Sequence, residues 1–186
     1  MTQPTDLLPE GLEDRLPASA ARITHAMRAC LDVLHTHGYD RVRPPLLEFE
    51  RSLASRMQGI RTQAMFRFVD PASLRTLALR SDITPQVGRI AATSMKTAPR
   101  PLRLAYCGET ALIRASQLDP ARQRLQLGAE LIGVDTIAAA SEIVMVAIEA
   151  LMGAGLTGIS VDFTLPDLVD TLAARDGDTD PDHIEA

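Results

Sequence analysis

Arg122-Gln123-Arg124-Leu125-Gln126-Leu127-Gly128-Ala129-Glu130-Leu131-Ile132-Gly133 decides how this chain is read. A strand sends successive side chains to opposite faces. Leu125, Leu127, Ala129 and Leu131 therefore share one face, while Arg122, Arg124, Gln126, Gly128 and Glu130 share the other. At a strand rise of roughly 3.4 Å per residue, Gln126 and Glu130 stand about 13 to 14 Å apart, with Gly128 leaving space between amide and carboxylate. That spacing suits a small polar ligand held at both ends. Alternation by itself equally describes, and rather favours, an antiparallel strand with one solvated face.

The neighbouring segments extend the pattern. Leu102 to Ile113 is a second apolar-rich run, joined to the first through Arg114, Ser116, Gln117 and the turn pair Asp119-Pro120, so the two read as a long hairpin. Met65 to Val69 and Leu74 to Arg80 form another, across Asp70-Pro71-Ala72-Ser73, which has the residues of a type I turn. Arg41 to Arg43 reads as a short strand ended by Pro44 and Pro45, followed by a kinked exit from Leu46 to Glu50.

Helices flank these strands. Ala20, Ile23, Met27, Cys30, Leu31 and Leu34 fall at helical spacing between Pro17 and His37, and Gly38 supplies the stop. The stripe is destined for the sheet or for a second subunit. Thr84-Pro85 reads as an N-cap and first helical residue, opening a helix through about Thr93. Ile137 to Met152 is apolar nearly all round, which predicts a deeply packed helix ended by Gly153 and Gly155. Ile159 to Phe163 reads as a strand, and Thr164 to Asp167 has the spacing of a capping box. Hairpins with segregated helices give an α+β fold with a mostly antiparallel sheet.

Composition bounds the rest. With 186 residues, 46% of them hydrophobic, the chain can bury one core. Residues 1–175 are expected to form one domain. The last eleven residues carry Asp176, Asp178, Asp180, Asp182 and Glu185 without a lysine or arginine, which predicts a disordered acidic tail over 176–186. A net charge of -5 argues against nucleic acid as the main partner. Cys30 and Cys107 are too far apart to suggest a disulfide framework or zinc site and read as buried thiols of a reducing compartment. No secretory leader opens the sequence, and the most apolar window, Ile143 to Met152, is too short to cross a bilayer. A soluble, cytoplasmic protein with no membrane association is expected. No glycine-rich phosphate loop, metal cluster or nucleophilic triad is visible, so no cofactor is implied. His25, His35 and His37, on or at the end of the first helix, read as surface or packing residues.

Taken together, Leu8-Pro9-Glu10-Gly11-Leu12-Glu13-Asp14, His37-Gly38-Tyr39-Asp40 through Pro45 and Glu48, Leu79-Arg80-Ser81-Asp82-Ile83-Thr84, and Tyr106-Cys107-Gly108 through Gln126 to Glu130 resemble the histidyl-tRNA synthetase branch of the class II aminoacyl-tRNA synthetases. The resemblance runs over roughly residues 8 to 173. It implies that fold's catalytic core, incomplete at the C-terminus, with self-association through the motif 1 region that begins at His37. Carried over by position, Asp82, Thr84 and Gln126 would hold a histidine ammonium group and Glu130 would face the imidazole. The donor and acceptor chemistry agrees. Asp82 is one methylene shorter than the family's glutamate, which alters pocket depth. Arg80, Arg114 and Arg122 are accessory candidates.

The departures are as informative. In the synthetases a motif 2 arginine binds the ATP α-phosphate and stabilises the charge developing in adenylation, and the gap-free register puts Leu112 there. Arg114, on the same strand face, would compensate only through a shifted loop. The chain also ends before the family's third motif, its histidine-specific segment and its anticodon-binding domain. Retained amino-acid contacts without adenylation chemistry resemble the ATP phosphoribosyltransferase regulatory subunit family, on the strength of Asp82-Ile83-Thr84-Pro85-Gln86 and Gln126 to Gly133. That resemblance implies no catalytic residue in this chain, the short-form ATP phosphoribosyltransferase catalytic subunit as partner, and histidine as effector in histidine biosynthesis. The alternatives are a divergent histidyl-tRNA synthetase fragment that adenylates histidine, and a stand-alone histidine-binding or dimerisation module.

Overall fold

The computed structural model describes residues 7–55, 65–113 and 120–164. The chain divides into two compact units, Met1–Leu156 and Thr157–Ala186. In the first unit the elements run α1 (Pro17–Thr36), β1 (Asp40–Arg41), β2 (Leu47–Phe49), α2 (Glu50–Ala54), β3 (Arg67–Val69), β4 (Thr76–Leu79), α3 (Thr84–Ala92), β5 (Leu102–Ala111), β6 (Gln123–Ile132) and α4 (Ile137–Gly153). One sheet has the order β1-β5-β6 and the other β2-β4-β3. Among the described strands only the β1/β5 pair is parallel, so the α+β, mostly antiparallel reading holds.

The long hairpin organises the first sheet. Its register pairs Leu104 with Glu130, Tyr106 with Gly128 and Gly108 with Gln126, continuing without a bulge from Leu102↔Ile132 to Ala111↔Gln123. Period-two alternation then divides the core. Leu102, Leu104 and Tyr106 pack with Ile83, Val87 and Ala91 of the α3 region on one face. Ala105, with Leu127 and Ala129, packs with Leu34, Tyr39 and Val146 from the α1 and α4 side on the other. A smaller cluster of Leu53, Met65 and Ala78 fills the second sheet's side. The first helix ends as its sequence dictates, with His37 as C-cap and Gly38 at φ 78°.

Several expectations change. The segment after Pro45 contains a true strand, β2, antiparallel to β4, where a kinked exit is expected. Two prolines obscure it, but the pairing begins only at Leu47, beyond them. The strand expected at 41–43 is instead Asp40–Arg41, with Val42 N–H still donating to Ala105 O at 2.9 Å. The turn after β3 closes one residue wider than a type I turn, with Leu74 N–H donating to Asp70 O at 2.8 Å and Leu74 itself at φ 56°. The Asp70 carboxylate holds this loop by accepting from Ser73 Oγ and from the N–H groups of Ala72 and Ser73, bonds that keep its carboxyl below the usual range.

Helix α4 is not deeply buried. Only Val146 and Ala150 are buried, while Ile137 is 88% exposed and Met152 61%. Apolar composition all round the helix overstates its packing because only one side meets α1 and the hairpin. Gly153 meets Val33 there, and the Cys30 thiol donates to Ala150 O at 3.3 Å. The Cys30 and Cys107 thiols are both half-buried, which pushes their pKa values up. In the second unit the described residues form no strand at 159–163. An extended run needs a neighbouring ladder for its N–H and C=O groups, and the described part of that unit provides none. All of the capping-box segment beyond Thr164, the acidic tail and the 114–119 connection lie outside the described residues. Among the described residues no helix is long and apolar enough to cross a membrane.

Candidate functional site

Thr84 is the first residue of α3, not its cap. Ile83 occupies the cap position in αR conformation and lends no side-chain hydrogen bond. The capping duty falls to Asp82, whose Oδ1 accepts from Thr84 N–H at 3.0 Å. This one-residue shift frees the Thr84 hydroxyl to reach across to the sheet.

There the four residues inferred from sequence come together. Gln126 Nε2 donates to Asp82 Oδ1 at 2.8 Å, and Gln126 Oε1 accepts from Ile83 N–H at 2.9 Å. The two bonds have opposite sense, so they fix which end of the amide faces which partner. Thr84 Oγ1 lies 2.9 Å from the Tyr106 hydroxyl, which donates to Glu130 Oε1 at 3.3 Å. Asp82, Gln126 and Glu130 are half-buried and Thr84 is exposed, so the set opens to solvent. What assembles is a carboxylate-rich floor suited to a ligand carrying positive charge and N–H groups.

The space expected over Gly128 is filled. Tyr106 is directly opposite in the ladder, and a Cβ at Gly128 would collide with the Tyr106 hydroxyl and ring. The glycine therefore admits a phenol rather than a ligand. Tyr106 is buried, and that burial, with the charges of Glu130 and Asp82, pushes its pKa up to about 12 despite the opposing Thr84 bond. Sequence reasoning left Tyr106 out of the site. The usable signal was the hairpin register, which puts the tyrosine across from a glycine between two candidate residues.

Two of the accessory arginines, Arg80 and Arg122, are engaged by backbone carbonyls. Arg80 is buried beneath Gly108, donating from Nε to Glu109 O at 2.7 Å and from Nη1 to Pro44 O at 2.9 Å. It braces the backbone around the site, and desolvation lowers its pKa. Arg122 donates to Glu10 O at 3.1 Å and to Leu112 O at 3.3 Å and lies over the Phe66 ring, which ties the chain's leading segment to the hairpin. Arg114 lies outside the described residues. Leu112 N–H donates to Arg122 O at 2.8 Å, so Leu112 sits at the neck of the hairpin with an uncharged side chain.

A second layer connects α3 to the segment after β1. Gln86, fully buried, donates from Nε2 to Pro45 O at 2.8 Å and to Glu48 Oε1 at 2.9 Å. Arg89, one turn further along α3, pairs with the same Glu48 carboxylate. On the opposite side of the sheet a cleft of about 540 Å³ is lined by Leu12, Ala20, Ile23, Glu109, Gln123 and Leu125, among others. It belongs to the α1 side and contains none of the four residues.

A family model described as histidyl-tRNA synthetase matches residues 11–185. The chain is similar to an ATP phosphoribosyltransferase regulatory subunit of Paramagnetospirillum magneticum, 44% identical over 92% of this chain and 45% of that one. A protein of the same name from Rhodospirillum centenum is 43% identical over 89% of this chain and 43% of the relative. The chain thus spans less than half the length of these relatives. Among solved structures, a Bacillus halodurans protein described as an ATP phosphoribosyltransferase regulatory subunit/histidyl-tRNA synthetase superposes with a TM-score of 0.73 at 33% identity, over 85% of this chain and 40% of that one. Apo histidyl-tRNA synthetase of S. aureus, at 23% identity and a TM-score of 0.66 over 81% of this chain and 35% of that one, shares the fold.

Proposed function

Because the chain belongs to the histidyl-tRNA synthetase family, we propose that it turns that family's amino-acid site to regulation, as part of a non-catalytic regulatory subunit of ATP phosphoribosyltransferase. The observation that carries this reading is the contrast between two ends of one hairpin. Asp82, Thr84, Gln126 and Glu130 stand connected by hydrogen bonds, directly or through Tyr106. In the gap-free register of the resemblance, Leu112 falls where the synthetases carry their adenylation arginine. An amino-acid site can persist without that arginine, whereas charge stabilisation on a phosphate cannot, and its loss costs several kcal/mol of transition-state stabilisation.

In this reading histidine is the effector, bound with its ammonium group at Asp82 and Thr84 and its imidazole at Glu130. Phosphoribosyl transfer takes place in the short-form catalytic partner, in the cytoplasm. Regulation requires that histidine bind two states of the complex with different affinity. Self-association uses the segment around residues 37–48, whose Glu48 is gripped by Gln86 and Arg89 of the helix that begins at Thr84.

The deciding experiment measures phosphoribosyl-ATP formation by a short-form catalytic subunit from the same organism, alone, with this chain, and with histidine added. Stimulation that histidine reverses is the expected result. Histidine-dependent exchange of pyrophosphate into ATP, without stimulation, would favour the adenylating alternative instead.

A further inference from the structure

A phenol has one proton to give, and at Tyr106 its destination is determined. Glu130 Oε1 can only accept, so the Tyr106 hydroxyl donates to it. The 2.9 Å bond between Thr84 Oγ1 and the Tyr106 oxygen must then use the threonine's proton. Thr84 is left with lone pairs alone to offer outward. At the other end, Asp82 Oδ1 takes protons from Thr84 N–H and Gln126 Nε2, and Gln126 Oε1 takes that of Ile83 N–H. Proton order is thereby set along the whole row. Among the described residues the outward capacity is Asp82 Oδ2, the Thr84 hydroxyl oxygen and Glu130 Oε2, all acceptors, plus the second N–H of Gln126.

We infer that Tyr106 is a specificity-determining residue of this site, because its phenol orients Thr84 and Glu130 so that both meet the ligand as acceptors and the ligand must bring N–H donors to both ends. The inference rests on the proposed amino-acid-binding role of the set. The buried ring stacked across Gly128 keeps the hydroxyl from turning elsewhere. Its raised pKa keeps the proton in place at neutral pH. Tyr106 acts through Thr84 and Glu130 and is a positioning residue in that sense.

Calorimetric titration of the full chain with L-histidine, and with thienylalanine, whose ring is of similar size and has no N–H, tests this directly. Tyr106→Phe keeps the ring over Gly128 and removes only the hydroxyl. It should weaken histidine about tenfold or more and thienylalanine far less, shrinking the selectivity ratio. Glu130→Gln gives the distinguishing result. With Tyr106 present the new amide must turn its oxygen to the phenol and its NH₂ to the ligand, so histidine binding falls. Combining it with Tyr106→Phe releases the amide to flip, and histidine affinity should partly recover. Losses that simply add in the double variant, or an equal loss for both ligands in Tyr106→Phe, would overturn the inference while leaving the histidine site intact. Wild-type chain that binds thienylalanine as well as histidine would overturn the site reading itself, and the inference with it.

Discussion

Arg103 grips Glu142 through two parallel hydrogen bonds, Nε to Oε1 at 2.6 Å and Nη2 to Oε2 at 2.7 Å, tying β5 to α4. The buried Tyr39 donates to the same Oε1 at 3.1 Å, so one carboxylate joins the strand, the last helix and the exit of α1. The Arg103 bonds, first among the causes, hold the Glu142 carboxyl below its ordinary pKa. A depressed carboxyl stabilises the fold above its unfolded pKa and loses that contribution as pH falls through the folded value. Glu142→Gln should therefore melt below wild type at neutral pH. The gap should close as pH falls below about 4.5. A gap independent of pH would show that shape, not charge, is what Glu142 supplies.

Tyr39 and Tyr106 are the chain's only tyrosines, and burial is the leading cause that pushes both up to about 12. For an acid whose folded pKa is raised, the stabilising effect is complete below the unfolded pKa and fades as pH rises toward the folded one. Tyrosinate absorbance should thus show no step near pH 10 while the chain is folded. It should appear only as the pH approaches 12 or as the protein unfolds. A separate early step would mean that one ring is solvated.

Gly108→Ala should destabilise the chain by about 1 to 3 kcal/mol, the usual cost of overpacking. The added methyl would strike the Arg80 guanidinium, which is buried and committed to the carbonyls of Glu109 and Pro44, so it cannot swing away cheaply. Urea unfolding gives the answer. An unchanged midpoint would mean that Arg80 has room to move.

Gln86→Leu removes the donor to Pro45 O and Glu48 from a fully buried position. Leaving those acceptors without it should cost about 1 to 3 kcal/mol. Hydrogen exchange should localise the loosening to residues 44–48 and the start of α3. Uniform loosening across the hairpin would argue against this bracing role.

At the site, Asp82→Asn and Glu130→Gln keep volume while removing charge, so each should weaken histidine binding by about 1.5 to 3 kcal/mol. Unchanged affinity in both, by calorimetry, would dismiss the histidine reading.

Much of this was legible before any coordinates. Period two in Leu125 to Leu131 correctly separates the helix-packed face, with Leu127 and Ala129, from the polar face, with Gln126 and Glu130. The limits were physical. A strand as short as Leu47–Phe49 has too few residues to show a period, and its pairing with β4 is non-local. Apolar content in α4 cannot reveal how much surface its neighbours cover. Thr84-Pro85 fits a cap as well as a first turn, and what decides between them is Asp82, which takes the N–H, and Tyr106, which takes the hydroxyl. Tyr106 escaped notice because its importance depends on what lies across the ladder, information that no single strand contains.

Gly108 and Gly128 are casts of the groups that lie on them, a guanidinium and a phenol. Neither glycine is required by its own backbone, since neither has a positive φ. Each is tied instead to a partner far away in sequence. Drift at these sites is therefore constrained in pairs: a homologue with a side chain at the position of Gly128 should have given up the bulk of Tyr106, and one with a side chain at Gly108 should have given up Arg80. Counting such joint exchanges across the family would trace two contacts of the fold, the cross-strand pairing of Tyr106 with Gly128 and the packing of Arg80 on Gly108.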